Sequence, residues 1–425
     1  MHGFAVLKKI GLPLLSAFMV LVATIPSTMA APKETTPLMI HRPEQVNPAN
    51  AVDPVRKDTV DRYALGVVLP LTGPHSQEGE RALEALMLGT GVFEGSRKTP
   101  VRIFIEDTQS RPESAKAAVQ ALVREEKVVG ILGPLQEDEA MEAAGEAQRL
   151  KVPIVTLAKK EDITSIGDYV FRYSMTNPMQ MQTLVKYAMV NRGFRHFVVL
   201  YPRDRYGEEM QKLFQEEVRR RDGTIRNIQS YDKAKMDFSH EIRALVGLPA
   251  LNGEGEPVAE QAETTRPADS AFDGLFLPDS QERLDQITAQ LFFHGVEGVR
   301  LLGTSCWNSA GLLGQAGDYL EGAVFVDAFF LDSVNREVND FIDIFYTAFA
   351  RDPDSADALL YDASSAAAKL IWQGQTETRD QFRYALTKLK NYPGIAGMAS
   401  IGENRNAQIE LLILGIRDGR IVQLH

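Results

Sequence analysis

From Tyr63 onward the chain alternates between short, continuous apolar runs and amphipathic helical stretches. Residues 64–71 form an apolar run of strand length, and 80–88 follow with helical character. The next run covers 101–107. Ala115, Ala118, Val119, Leu122 and Val123 then recur at helical spacing, one face of a helix opened by Pro112 and Glu113. Runs at 128–133 and 153–158, separated by an Ala- and Glu-rich helix, complete a first set. The alternation restarts at 196–201 and continues through 224–231, 273–277 and 300–303. Met210, Leu213, Phe214 and Val218 mark one intervening helix, and 282–295 another. Strands that are apolar on both faces need helices on both sides, so the pattern calls for parallel sheets. Two successive sets predict an α/β chain of two doubly wound lobes.

The first thirty residues have a different character. Lys8 and Lys9 precede an apolar stretch over 10–25, and small residues follow at 27–31. This is the order of a secretory signal, with the cut placed after Ala30. An uncleaved anchor is the alternative; Pro13 and the small-residue exit favour cleavage. No cysteine stands at the cut, so lipid attachment is not expected, and the expected location is the periplasm. Residues 31–62, rich in Pro, Thr, Asn and charge, read as a flexible tail. Residues 247–270, rich in Gly, Pro, Glu and Thr, read as a surface insertion. Near the end, an apolar run over 408–416 followed by Asp418-Gly419 reads as a strand and hairpin capping a sheet edge.

The 425 residues are 44% apolar and 24% charged, an ordinary globular balance, and the net charge of -11 argues against nucleic acid as a partner. The single cysteine, Cys306, excludes an intramolecular disulfide and a cysteine-based zinc cluster, and reads as a buried thiol. There is no Gly-x-Ser-x-Gly, no phosphate-loop pattern and no His-Glu-x-x-His. Gly89-Thr-Gly91 lacks the third glycine of a dinucleotide fingerprint. The seven histidines are scattered, and the acidic run Glu137, Asp138, Glu139 reads as a solvated helix start. Neither an enzyme nor a cofactor is expected.

In doubly wound sheets ligands lie beyond the carboxyl ends of the strands. Here those ends are 72–79, 134–138, 158–160, 201–206, 278–281 and 304–308. Two lobes facing each other across such loops form a cleft that can close on a small molecule by a hinge.

The same loops resemble a known family. Leu-Pro-Leu-Thr-Gly-Pro at 69–74, Ile-Leu-Gly-Pro-Leu at 131–135, Val-Pro-Ile-Val-Thr at 152–156 and Tyr-Pro-Arg-Asp-Arg-Tyr-Gly at 201–207 resemble the type I periplasmic binding proteins, in their leucine/isoleucine/valine-binding branch. Leu-Tyr-Asp-Ala at 360–363 and Gly-Ile-Ala-Gly at 394–397 are similar to that family's late helix and returning strand. Asp-Tyr-Val-Phe-Arg at 168–172, Phe-Leu-Pro-Asp-Ser at 276–280 and Leu-Gly-Thr-Ser-Cys-Trp-Asn at 302–308 most resemble members labelled penicillin-binding protein activators. The resemblance implies two Rossmann-like lobes joined by three crossovers, near Thr176, Phe329 and Ile401. Lobe one is then 63–175 plus 330–400, and lobe two 176–329 plus 402–425.

The resemblance also implies a site. The place of the serine that grips an amino acid's carboxylate falls on Glu137, and that of the acid that pairs with its amino group on Ser305. The strand end facing the ligand's head group offers Ala158, Lys159 and Lys160, while Tyr206 keeps a position that often touches ligand. Both ends of an α-amino-acid grip are therefore altered. The candidate ligand-binding residues are His75, Ser76, Gln77, Gln136 and Lys159 from lobe one, and Tyr206, Asp279, Ser280, Ser305 and Trp307 from lobe two. Trp307 is placed to stack on a ring. Two functions remain. One is capture of a small polar or amino-acid-like ligand for an inner-membrane ABC permease. The alternative is a non-enzymatic activator acting on a peptidoglycan synthase.

Overall fold

The first apolar run folds as β2 (Asp61–Leu69), and its six C-terminal residues are fully buried because sheet neighbours and helices enclose both its faces. In the computed structural model, the described residues are 39–40, 60–91, 101–249, 272–296, 299–309, 311–313, 317–374 and 376–425. Strand β2 lies inside a six-stranded sheet with β1 (Met39–Ile40), β3 (Arg102–Asp107), β4 (Val128–Leu132), β5 (Ile154–Thr156) and β6 (Val170–Arg172). The order is β1-β3-β2-β4-β5-β6, and every pairing is parallel.

Helices α1 (Ser76–Gly89), α2 (Pro112–Arg124) and α3 (Glu137–Leu150) are the crossover connections. Pro112 occupies the first turn of α2, where its missing N–H costs nothing, and the five residues at helical spacing are its buried face. That face meets the alanines Ala140, Ala143, Ala144 and Ala147 of α3. Small side chains let the two helices approach closely.

A second sheet of seven strands holds β7 (His196–Pro202), β8 (Thr224–Tyr231), β9 (Gly274–Phe276), β10 (Arg300–Leu302) and β11 (Val324–Asp327) in parallel, with β15 (Leu412–Arg417) and β16 (Arg420–Gln423) antiparallel at one edge. Around it lie α4 (Asn177–Lys186), α5 (Arg205–Arg220), α6 (Ser239–Leu245) and α7 (Gln281–Phe293). After β11 the chain returns to the first lobe as α8 (Arg336–Phe349), α9 (Ser355–Trp372) and α10 (Arg379–Thr387). Phe341, Phe345, Ala363 and Phe382 of these helices share one core with Leu65, Val67 and Ile103. A small antiparallel sheet of β12 (Tyr392–Gly394), β13 (Gly397–Ile401) and β14 (Ala407–Ile409) follows, in the same core. The chain thus passes between the two sheets three times: between β6 and α4, after β11, and between β14 and β15.

Two of the family-like motifs meet in this lobe. The carboxylate of Asp362 on α9 accepts hydrogen bonds from the Ile395 and Ala396 backbone N–H groups, at 2.7 and 2.8 Å. A Cβ on Gly394 would stand 2.3 Å from Asp362 Oδ2, so the hairpin can approach the helix only with glycine there.

The structure corrects several expectations. The apolar run at 408–416 is not one strand. It breaks at Glu410 and Leu411, leaving β14 in lobe one and placing β15 in lobe two. Apolar continuity carries no mark of the point where a backbone changes sheets. Strands β6 and β11, of three and four residues, escaped the linear reading, and so did helices α8 and α10. Met39, Ile40, Asp61 and Arg62 are strand residues rather than tail. Residues 1–30, most of 31–62 and 250–270 of the insertion lie outside the described residues.

Candidate functional site

The carboxyl ends of β2, β3 and β4 form one set of polar loops. Asp107, the last residue of β3, accepts hydrogen bonds from the backbone N–H groups of Leu71, Thr72 and Gln109 and from the Thr72 hydroxyl, at 2.6–3.1 Å. The Ser110 hydroxyl donates to the Thr72 carbonyl and accepts from the His75 N–H. The β2–α1 loop is thereby fastened to the β3–α2 loop before any ligand arrives. His75 Nδ1 lies 3.8 Å from the Glu78 carboxylate, and the Gln136 side-chain amide donates to that same carboxylate at 2.5 Å. His75, Ser76, Gln77 and Gln136 therefore share one corner of lobe one, with Ser76 and Gln77 opening α1. Lys159 stands apart: its side chain is exposed, and its carbonyl accepts from Arg172 Nη1 at 3.2 Å.

Glu139 differs from the solvated residue expected of an acidic helix start. It is 2% exposed, and Oε2 has no hydrogen-bond partner. Burial pushes its carboxyl above the usual range, while a hydrogen bond with Thr108 and the nearness of His75 pull the other way. Asp107, Ser110 and Glu139 were missed as parts of this corner. The run at 101–107 reads as a strand, and its carboxyl end is the signal in the sequence that points to them.

Lobe two contributes the ends of β7, β9 and β10. Asp204 caps α5 by accepting from the Gly207 N–H at 2.7 Å, which sets Tyr206 in the first turn. The Tyr206 hydroxyl donates to Thr304 Oγ1 at 3.0 Å and lies 3.6 Å from Cys306 Sγ. Burial, the Cys306 thiol and the Asp279 carboxylate hold the phenol well above its ordinary pKa, so it is a neutral donor. The Ser305 N–H donates to Gln180 Oε1 at 3.0 Å, tying this loop to α4. Ser280 precedes α7 and is half-buried.

Trp307 and Asp279 are corrections to the expected wall. Trp307 is wholly buried, its indole N–H donates to the Asp279 carbonyl at 3.2 Å, and it packs in one core with Leu284 and Phe325. A ring so enclosed supports the loop from beneath and cannot stack on a ligand in this conformation. The Asp279 carboxylate is 5% exposed and is engaged by the Tyr231 hydroxyl and the Ser280 N–H. Cys306, expected to be buried, is exposed.

Among the described residues, no hydrogen bond joins the lobe-one loops to those of lobe two. The lobes do meet where β11 ends. There the buried Asp327, ending β11, is hydrogen-bonded by Ser355 of α9 and by Asn308. Burial lifts this carboxyl to about 6. Beside it opens a cavity of about 1350 Å³, lined by Asn308, Phe329, Asp332, Ser355 and the C-terminal residues Gln423 and His425 among others.

Two α/β lobes, connected by three chain crossings and each carrying polar loops at its strand ends, define the two-lobed class of binding protein that receives a ligand between its halves. The sequence profile of the periplasmic binding proteins matches residues 63–250 and 256–420, and the chain belongs to that family. Similar solved structures include a putative branched-chain amino acid ABC transporter protein of Rhodospirillum rubrum: 22% identity, 85% of this chain and 99% of that one, TM-score 0.74. A leucine-binding protein of Thermotoga maritima is 20% identical over 85% of this chain and 97% of its own, with TM-score 0.58. A Rhodopseudomonas palustris ABC-transporter solute-binding protein in complex with 3,4-dihydroxybenzoic acid is 19% identical over 87% and 97%, with TM-score 0.60. No curated protein matches the sequence. No helix among the described residues is long and apolar enough to cross a membrane.

Proposed function

We propose that this protein captures a small polar or amino-acid-like solute between its lobes and presents it to an inner-membrane ABC permease. The observation that carries the reading is the pair of unlinked polar half-sites. His75, Ser76, Gln77, Gln136 and Lys159 belong to one lobe. Tyr206, Ser280 and Ser305 belong to the other, with Asp279 and Trp307 supporting them. Each half is internally fastened, so a ligand bridging them would supply the bonds that the cleft lacks. The solved relatives that bind leucine and dihydroxybenzoate favour transport over action on a peptidoglycan synthase.

The proposal includes export through a cleaved signal over 1–30, release without a lipid anchor, and binding without chemical change of the ligand. Glu137 and Ser305 replace the two groups that grip an α-amino acid, so the preferred ligand carries its charges differently from leucine. The test is native mass spectrometry of residues 31–425 recovered from a periplasm, before and after mild denaturation. A small mass released on unfolding is expected. A clean apo mass, with no thermal shift from amino acids, aromatic acids or muropeptides, would overturn transport in favour of a protein partner.

A further inference from the structure

The outer end of lobe two, opposite the cleft, carries a second concavity of about 400 Å³. Three arginines line it, each delivered by a different element. Arg300 opens β10 and Arg417 closes β15. The ladder pairs Leu302 with Val324 and Val324 with Gly415. Arg300 and Arg417 lie two residues from Leu302 and Gly415 in their own strands, and side chains two apart share a face, so both arginines rise on one side of the sheet. Gly322 lies outside that ladder, and its N–H donates to the Ile416 carbonyl at 2.9 Å. Gly322 has φ +76, and a Cβ there would stand 1.7 Å from Arg300 Nη1. The guanidinium therefore lies across bare backbone, where any side chain would displace it.

Arg192 comes from above that face. Residues 187–191 make a π-helical turn, and the Arg192 N–H donates to the Tyr187 carbonyl at 3.1 Å. Such turns are rare, and many of them are found at functional sites. Tyr187 and Phe194 supply aromatic surface to the same concavity. Among the described residues, none of the three guanidinium groups makes a hydrogen bond or an ion pair. Glu321 and Asp418 also line the concavity, but neither lies within ion-pairing distance of the arginines, and Glu321 accepts from the Gly419 N–H at 3.5 Å.

We infer that this concavity is an anion site for a phosphate-type oxyanion, whether free in solution or carried on a lipid headgroup. Three unpaired guanidinium groups around one concavity are unusual on a chain of net charge -11. Planar forks of N–H donors match tetrahedral oxyanions in shape and charge. The aromatic and aliphatic floor fits the carbon skeleton of an organic phosphate.

The test uses the full chain. Inorganic phosphate and pyrophosphate are titrated by calorimetry and followed by phosphorus NMR, and vesicles of phosphatidylcholine with and without phosphatidylglycerol are tested by co-flotation. Binding in either arm is expected, at least tenfold weaker in Arg300→Ala/Arg417→Ala, weaker in Gly322→Ala, and unchanged in Arg220→Ala. Binding of the soluble anions assigns a free ligand; binding of phosphatidylglycerol vesicles alone assigns a headgroup. If the double variant does not fold, Arg192→Ala and Arg417→Ala, both at exposed positions, are compared singly. Absence of binding in both arms, or binding indifferent to the arginines, overturns the assignment and leaves the cleft reading untouched.

Discussion

The Tyr206 hydroxyl lies 3.0 Å from Thr304 Oγ1, joining two loops that are 98 residues apart in sequence. Tyr206→Phe deletes that bond and leaves the buried Thr304 hydroxyl with the Cys306 N–H at 3.4 Å. A neutral hydrogen bond is worth about 1 kcal/mol, so ligand affinity is expected to fall roughly fivefold, and further in Tyr206→Ala. A double-mutant cycle with Thr304→Val, read by calorimetry, checks it. Additive losses would mean that the two groups do not act together.

Cys306 is exposed beside Tyr206 and is the only thiol in the chain. It should take up one equivalent of a maleimide without denaturation. Bound ligand should slow that labelling several-fold by covering the lobe-two loop. An unchanged rate at saturating ligand would remove this loop from the cleft wall.

Two buried acids should give the protein an unusual pH response. Burial raises Asp362 to about 7, against two backbone hydrogen bonds that lower it, and raises Asp327 to about 6. An unfolded aspartate titrates near about 3.9. Because the folded values are higher, each acid's stabilising contribution is complete below about pH 4 and is lost as pH rises through about 6 and 7. The limit is about 1.4 kcal/mol per pH unit for each group. Urea midpoints should therefore fall from pH 5 to pH 8 by less in Asp362→Asn and Asp327→Asn than in the parent. Parallel curves for parent and variants would contradict the assignment.

Trp307 is 0% and Trp372 65% exposed, so the two tryptophans are separable. Trp372→Phe should leave a blue-shifted emission that resists acrylamide. In that background Trp307→Ala should cost about 3–5 kcal/mol, the usual loss for a buried large ring. Gly303→Ala should cost about 1–3 kcal/mol, because its Cβ would stand 2.1 Å from the indole. Chemical denaturation measures both. A red-shifted, easily quenched Trp307 would return that ring to the cleft.

The α/β class and most of the parallel strands were legible in the sequence, because continuous apolar runs between helical faces have few other ways to be buried. The Leu-Tyr-Asp-Ala and Gly-Ile-Ala-Gly motifs were legible too, though not that Asp362 of one holds the hairpin of the other. The break at Glu410 and the short strands β6 and β11 were not. Three or four residues carry too little periodicity to be read, and a change of sheet leaves no mark on hydrophobicity. The same limit applied to the site. Strand ends, together with the family resemblance, pointed to the loops proposed as the two half-sites. Burial decided the rest: it turned Trp307 inward, brought Cys306 out, enclosed Glu139, and set Arg300 and Arg417 on one face of the sheet. Those outcomes depend on which strands become neighbours, a long-range property that only the tertiary structure settles.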